Sequence, residues 1–243
     1  MTIDQIIALS ASIGACLSAI ATFLTVRQMI KQREESYRPE LVLSRTFFEG
    51  LKDPISQDPI PTHWVSKPDA NGGGQTSPIF SLPLRNVGLG AAKAISVQWS
   101  FPIEETVNQA NHLAQRTLTP AYFTLKNGIL SIKSDSIGTS ASLWVNQQHD
   151  SLDYVLPAAV QKEPAHLKLP HAFIQLSSAL LFLFGKEKDR KLFPEIPVLK
   201  ARLEYLDISN KTHTTVFDIK LEVIVFGGGG TFIDGYLESK KCA

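Results

Sequence analysis

Apolar and polar positions change their period several times along this chain. Residues 6–26, IIALSASIGACLSAIATFLTV, carry no charge and show no polar stripe beyond Ser and Thr. The next ten, RQMIKQREES, are polar enough to carry the same helix onward until Tyr37-Arg38-Pro39 ends it, because a residue before proline is pushed to extended geometry. From there the period falls to two. ELVLSRTF reads as a first strand, and residues 50–78, rich in Pro, Asp, Gly and Ser around Gly72-Gly73-Gly74, read as a long exposed loop between strands. IFSLPLRNVGLGAAKAISVQWSF predicts a strand ending near Arg85, a turn at Asn86–Gly90 and a second strand. In that second strand Ile95, Val97, Trp99 and Phe101 face one way, and Ser96, Gln98 and Ser100 the other.

Further on, Pro102–Gln115 is a short helix with Glu104 and Glu105 at the positive end of its dipole. FTLKNGILSIK is a hairpin around Asn127-Gly128. Leu199, Ala201, Leu203 and Tyr205 alternate with Lys200, Arg202 and Glu204. Phe217, Ile219, Leu221 and Val223 alternate in turn with Asp218, Lys220 and Glu222, and DISNKTH joins the two runs as an antiparallel hairpin with one wet face. Short strands with such turn signals predict a mainly β chain built as an antiparallel β-sandwich with one or two short helices. A second apolar run, HAFIQLSSALLFLF after Pro170, is about 22 Å long as a helix, too short to span a bilayer alone. It either covers a sheet edge or one end of the sandwich, or faces the membrane with Lys186, Lys188, Arg190 and Lys191 among headgroups. The glycines at 227–230 read as an exit into a flexible tail. The expected organisation is therefore 1–36 membrane helix and extension, 37–226 β-sandwich, and 227–243 tail.

Residues 6–26 are not a secretion signal, since the leader MTIDQ holds Asp4 and no Lys or Arg, and the run is too long. As a helix they span about 31 Å, matching the roughly 30 Å hydrocarbon core of a bilayer. A soluble core helix would carry a polar stripe, so the run is read as a transmembrane helix. Arg27, Lys31, Arg33 and Arg38 follow it, which places the N-terminus outside and the C-terminal part in the cytoplasm. Arg27, Lys31 and Arg33 are the expected lipid-headgroup contacts, each worth about 1 kcal/mol against an anionic leaflet. Ser10, Gly14, Ser18 and Thr22 recur every fourth position, flanked by Ala11, Ala15 and Ala19. A small-xxx-small face of this kind lets helix backbones approach in lipid, so a homo-oligomer is expected.

Composition changes little in this picture. With 243 residues, 19% charged and a net charge of +1, the chain shows no basic patch or module for nucleic acid. Cys16 and Cys242 are too few and too far apart in sequence for a disulfide framework, which suits a reducing compartment. NVGLGAAKA matches a dinucleotide-binding fingerprint at Gly88 and Gly90 but has Lys93 at the sixth position and a strand after it, so it reads as a turn. The four glycines at 227–230 lack the Lys-Ser/Thr of a phosphate loop. The six histidines lack metal-ligand spacing, there is no G-x-S-x-G, and the carboxylates sit mostly on solvated strand faces. No catalytic residue, cofactor or metal is expected, and the chain reads as a non-enzyme.

A span followed by YRPELVL, then LPLRNVGLGAAKAI, and late ARLEYLDISNKTHTTVFDIKLEV resembles a broad group of bacterial single-span membrane proteins with a cytoplasmic Ig-like sandwich. The resemblance covers most of the chain and rests on residues that shape the fold. Some of these proteins look similar to the membrane effectors encoded beside retrons and other anti-phage systems, which implies membrane damage on infection. In the effector reading, the cytoplasmic domain binds a protein partner. The alternative kept open is a membrane-tethered sensor whose sandwich binds a small ligand.

Overall fold

One long helix, α1 (Ile3–Ser36), leads into a β-rich body. The computed structural model describes residues 3–52, 60–67, 80–134, 138–187 and 193–242. The strands are β1 (Leu41–Leu43), β2 (Thr46–Leu51), β3 (His63–Ser66), β4 (Ser81–Asn86), β5 (Ala92–Ser100), β6 (Ala121–Lys126), β7 (Ile129–Ser134), β8 (Gly138–Leu143), β9 (His149–Val155), β10 (Ala165–Lys168), β11 (Leu199–Leu206), β12 (Thr212–Gly227) and β13 (Phe232–Cys242). Three further helices are α2 (Ile103–Arg116), α3 (Trp144–Gln147) and α4 (His171–Lys186). Strands take up 44% of the chain, as a mainly β fold requires.

The strands pair antiparallel in three sheets, ordered β1-β4-β10, β3-β2-β13-β12-β11-β5-β9 and β6-β7-β8. The seven-stranded sheet curls into a half-barrel. Register shifts between Glu204 and Leu206 and between Val223 and Val225 mark bulges, which sharpen local twist. The predicted alternations set its inward face: Val97 and Trp99 lie opposite Leu203 and Ala201, all buried together with Ile95 and Leu199, while Ser96, Gln98 and Ser100 are exposed.

α4 supplies much of the core against this sheet. Its residues from Ala172 to Gly185 are all buried, as expected of a helix apolar all round. Phe173 meets Trp64 and Phe101 edge-on at 6.1 and 5.2 Å, and Phe184 packs on Phe226 at 6.2 Å. The second apolar run is thus a core element, which corrects the membrane-facing alternative. Its flank Lys186 lies over the Phe182 ring at 4.3 Å, and Lys188, Arg190 and Lys191 lie outside the described residues. α2 covers α4 with Ile103, Val107, Ala110 and Leu113, and Asn111 exchanges two 2.8 Å bonds with the backbone of Phe123 to hold β6.

Other expectations are corrected or refined. ELVLSRTF is two strands, with β1 and β2 in different sheets. Within 50–78, β3 pairs with β2, and the Gly72–Gly74 centre lies outside the described residues. The hairpin at Asn127-Gly128 forms with both residues at positive φ, 51° and 72°. The expected flexible tail is instead β13, paired between β12 and β2 in the middle of the seven-stranded sheet. The glycines before it make a tight reversal: Gly230 has φ 94°, and a Cβ there would lie 2.6 Å from the Phe182 backbone.

Candidate functional site

Two features stand out: the junction where α1 enters the β body, and a cavity beside the start of α4. At the junction, residues 37–40 leave α1 and run against the Asn86–Gly90 loop. Val87 donates its N–H to the Glu40 carbonyl at 2.8 Å. The Asn86 side chain, 1% exposed, accepts from the amides of Glu40 and Gly88, both at 3.0 Å. It donates to the carbonyls of Gly90 at 2.7 Å and Val155 at 3.2 Å, which fills its two acceptor and two donor positions. A Cβ on Gly90 would overlap the Tyr37 carbonyl, and one on Gly88 would meet that of Arg38. NVGLG is therefore a seat for the helix exit, a role for its glycines different from gripping a nucleotide.

Beside this seat a cleft of about 500 Å³ opens between the end of α1 and the β11–β12 turn. Lys31, Glu35 and Arg38 line one side, and Asp207, Lys211 and His213 the other. Among the described residues Lys31, Arg38 and Lys211 make no ion pair. Asp207 is committed to its own turn: it accepts the amides of Ser209 at 2.8 Å and Lys211 at 3.0 Å, and His213 Nε2 at 2.8 Å. Burial works against its charge, but the His213 bond and the two amides outweigh it and hold the carboxyl below its usual range. His213 also stacks on Tyr205 at 5.6 Å.

Of the expected headgroup contacts, Lys31 joins this cleft, while Arg27 and Arg33 stay exposed on α1, Arg33 near the Tyr37 ring. Arg38 and Lys211 were not singled out together, because nothing in sequence links a helix exit to a turn some 170 residues later. Ser10, Gly14, Ser18 and Thr22 all lie on α1, with Gly14, Ser18 and Thr22 exposed. Thr22 returns its hydroxyl to the Ser18 carbonyl at 2.9 Å, so it carries no unsatisfied donor. α1 contains one stretch, Ser12–Arg33, long and apolar enough to cross a membrane, and none of it is buried.

The cavity measures about 550 Å³ and lies where β3, β8 and β10 from the three sheets approach the first turn of α4. Trp64, Phe80 and Ile174 are among its apolar lining residues, and His63, Lys168 and His171 line it as well. Gln147 braces one side, accepting the Ala172 amide at 3.0 Å and donating to Ser142 at 2.9 Å. Sequence reasoning missed this site, since His63 comes from a strand start more than 100 positions before Lys168 and His171.

Among the described residues no group of three or more His, Cys, Asp or Glu is placed to hold a metal ion. Partial burial and the neighbouring Asp218 push the Cys242 thiol up, away from thiolate chemistry. No family model, curated protein or solved structure matches the chain.

Proposed function

We propose that the chain is a non-enzymatic effector or interaction protein anchored in a bacterial inner membrane, with α1 spanning the bilayer and the β body in the cytoplasm. The observation that carries this is α1 itself. Ile13, Leu17, Ile20, Phe23 and Leu24 are each more than half exposed, with no part of the β body covering them. Each such side chain left in water forgoes about 1.5–3 kcal/mol of burial, a penalty that a bilayer removes. The fastening of residues 37–40 to Asn86 and Gly90 supports the reading, because it couples the anchor rigidly to the domain.

Self-association through Ser10, Gly14, Ser18 and Thr22, an Ig-like sandwich for the β body, and action on membrane integrity as an anti-phage effector belong to this same proposal. They rest on sequence spacing and on the resemblance of the quoted segments. A Cβ at Gly14 meets nothing within 4 Å, so Gly14→Ile alters the helix surface without disturbing the chain's own packing.

The test has two arms. In intact cells a membrane-impermeant maleimide should label Thr2→Cys and leave Cys242 unlabelled until lysis; the reverse pattern refutes the orientation. Overexpression of the natural chain should depolarise cells and Gly14→Ile should abolish that, whereas equal depolarisation rules out helix packing as the mechanism.

A further inference from the structure

We infer that the cavity at the start of α4 binds a small amphipathic acid, with an apolar body against Trp64, Phe80 and Ile174 and a carboxylate or phosphate head toward Lys168, His171 and His63. The inference goes beyond the membrane reading and does not depend on it. Three observations carry it.

The first is size and placement. At about 550 Å³ the cavity falls within the roughly 300–1,000 Å³ of small-molecule sites, and it lies at a junction of layers, where such sites concentrate. The second is the sign of its chemistry. Among the described residues that line it there is no Asp or Glu, while Lys168, His63 and His171 all line it. Lys168 is exposed and has no ion pair among the described residues, so its charge is not already neutralised. His171 occupies the first position of the 16-residue α4, where the helix dipole adds partial positive charge. The third is rigidity. Trp64 is fixed by stacking on Phe48 at 4.1 Å and by its indole N–H bond to Ser178, and Gln147 is held at both ends of its amide. The wall is thus largely formed before any ligand arrives, which lowers the ordering cost of binding.

A carboxylate and a phosphate monoester share this chemistry, and rigid water-soluble probes separate them. Equilibrium dialysis of the full chain in lipid nanodiscs, with empty nanodiscs subtracted, would use 2-naphthoate, 2-naphthyl phosphate and the uncharged 2-naphthamide, read by naphthyl fluorescence. The expected result is saturable binding of one acid per chain, with the amide weaker by about tenfold or more. The stronger of the two acids identifies the head group. Lys168→Gln, at an exposed position, should weaken the acid by a similar factor, and Leu143→Trp, which narrows the cavity from a half-exposed strand end, should remove binding. Failure of both acids to bind saturably, equal binding of acid and amide, or natural affinity in both variants would overturn the proposal. Orientation labelling of α1 is a separate measurement, so failure of one does not imply failure of the other.

Discussion

The side-chain oxygen of Asn86 accepts the backbone amide of Glu40 at 3.0 Å, joining the end of the long helix to a loop 46 residues further along. Asn86 simultaneously serves Gly88, Gly90 and Val155, so no single neighbour can be released without exposing another. Asn86→Leu keeps the volume but leaves two part-buried amides and two buried carbonyls unmet, at about 1–3 kcal/mol for each group that water cannot reach. The solubilised chain should melt at markedly lower temperature, and protease should cut between residues 37 and 40. A melt within a degree of the natural chain would show that the seat is held by packing alone.

Trp64 and Ser178 make a second buried relay. The indole N–H donates to the Ser178 hydroxyl at 2.9 Å, and that hydroxyl donates to the Pro61 carbonyl at 2.8 Å. Ser178 is completely buried on α4, so Ser178→Ala strands a donor and an acceptor in the core. A loss of about 1–3 kcal/mol per stranded group is expected from urea unfolding, with the slope unchanged. A neutral outcome would mean that Trp64 finds another acceptor.

The Asp207 turn predicts a pH dependence of known sign. Because its carboxyl is held below its usual range, the stability it contributes is present above the ordinary carboxylate value of about 3.9 and disappears as pH falls through the lowered one. Asp207→Asn should therefore lower the melting temperature at pH 7, and the gap to the natural chain should close toward pH 2–3. A gap of constant size across that range would exclude the carboxylate charge as its source.

Where local pattern and tertiary packing agree, the fold was readable from sequence. Asn127-Gly128 could only turn, and the alternation of Leu199–Tyr205 with Phe217–Val223 could only pair, because a one-residue slip would put every apolar side chain on the wet face. β13 escaped because Asp234, Glu238, Lys240 and Lys241 dominate its composition. Three of those charges are met from other parts of the fold: Asp234 bonds Lys67 at 2.7 Å, Glu238 pairs with Arg45, and Lys241 with Glu40. Ile233, Gly235 and Leu237 did carry the period of two, over too short a run to outweigh the glycines before it. The all-round apolar α4 signalled burial in something but not in what, since a membrane and a half-barrel are equally apolar hosts. The cavity was not legible, because His63, Lys168 and His171 fall in three different elements and His63 lies more than 100 positions before the other two.

The cleft at the helix exit leads to the last prediction. Lys31, Arg38 and Lys211 converge there from two elements, at the level where α1 emerges from any bilayer it spans, and phosphate groups crowd that level. Glu35 and the ionised Asp207 sit among them and temper the attraction, Asp207 with its oxygens already engaged by its own turn. Anionic headgroups should therefore bridge α1 to the β11–β12 turn and slow its opening. In nanodiscs, hydrogen exchange across residues 207–213 should fall when a zwitterionic lipid is replaced by an anionic one, and Lys211→Glu should cancel that protection while leaving the zwitterionic rate unchanged. Arg27→Gln, on the helix but away from the cleft, should keep the protection. Equal protection in both lipids, or its survival in Lys211→Glu, would show that the cleft does not read the membrane surface.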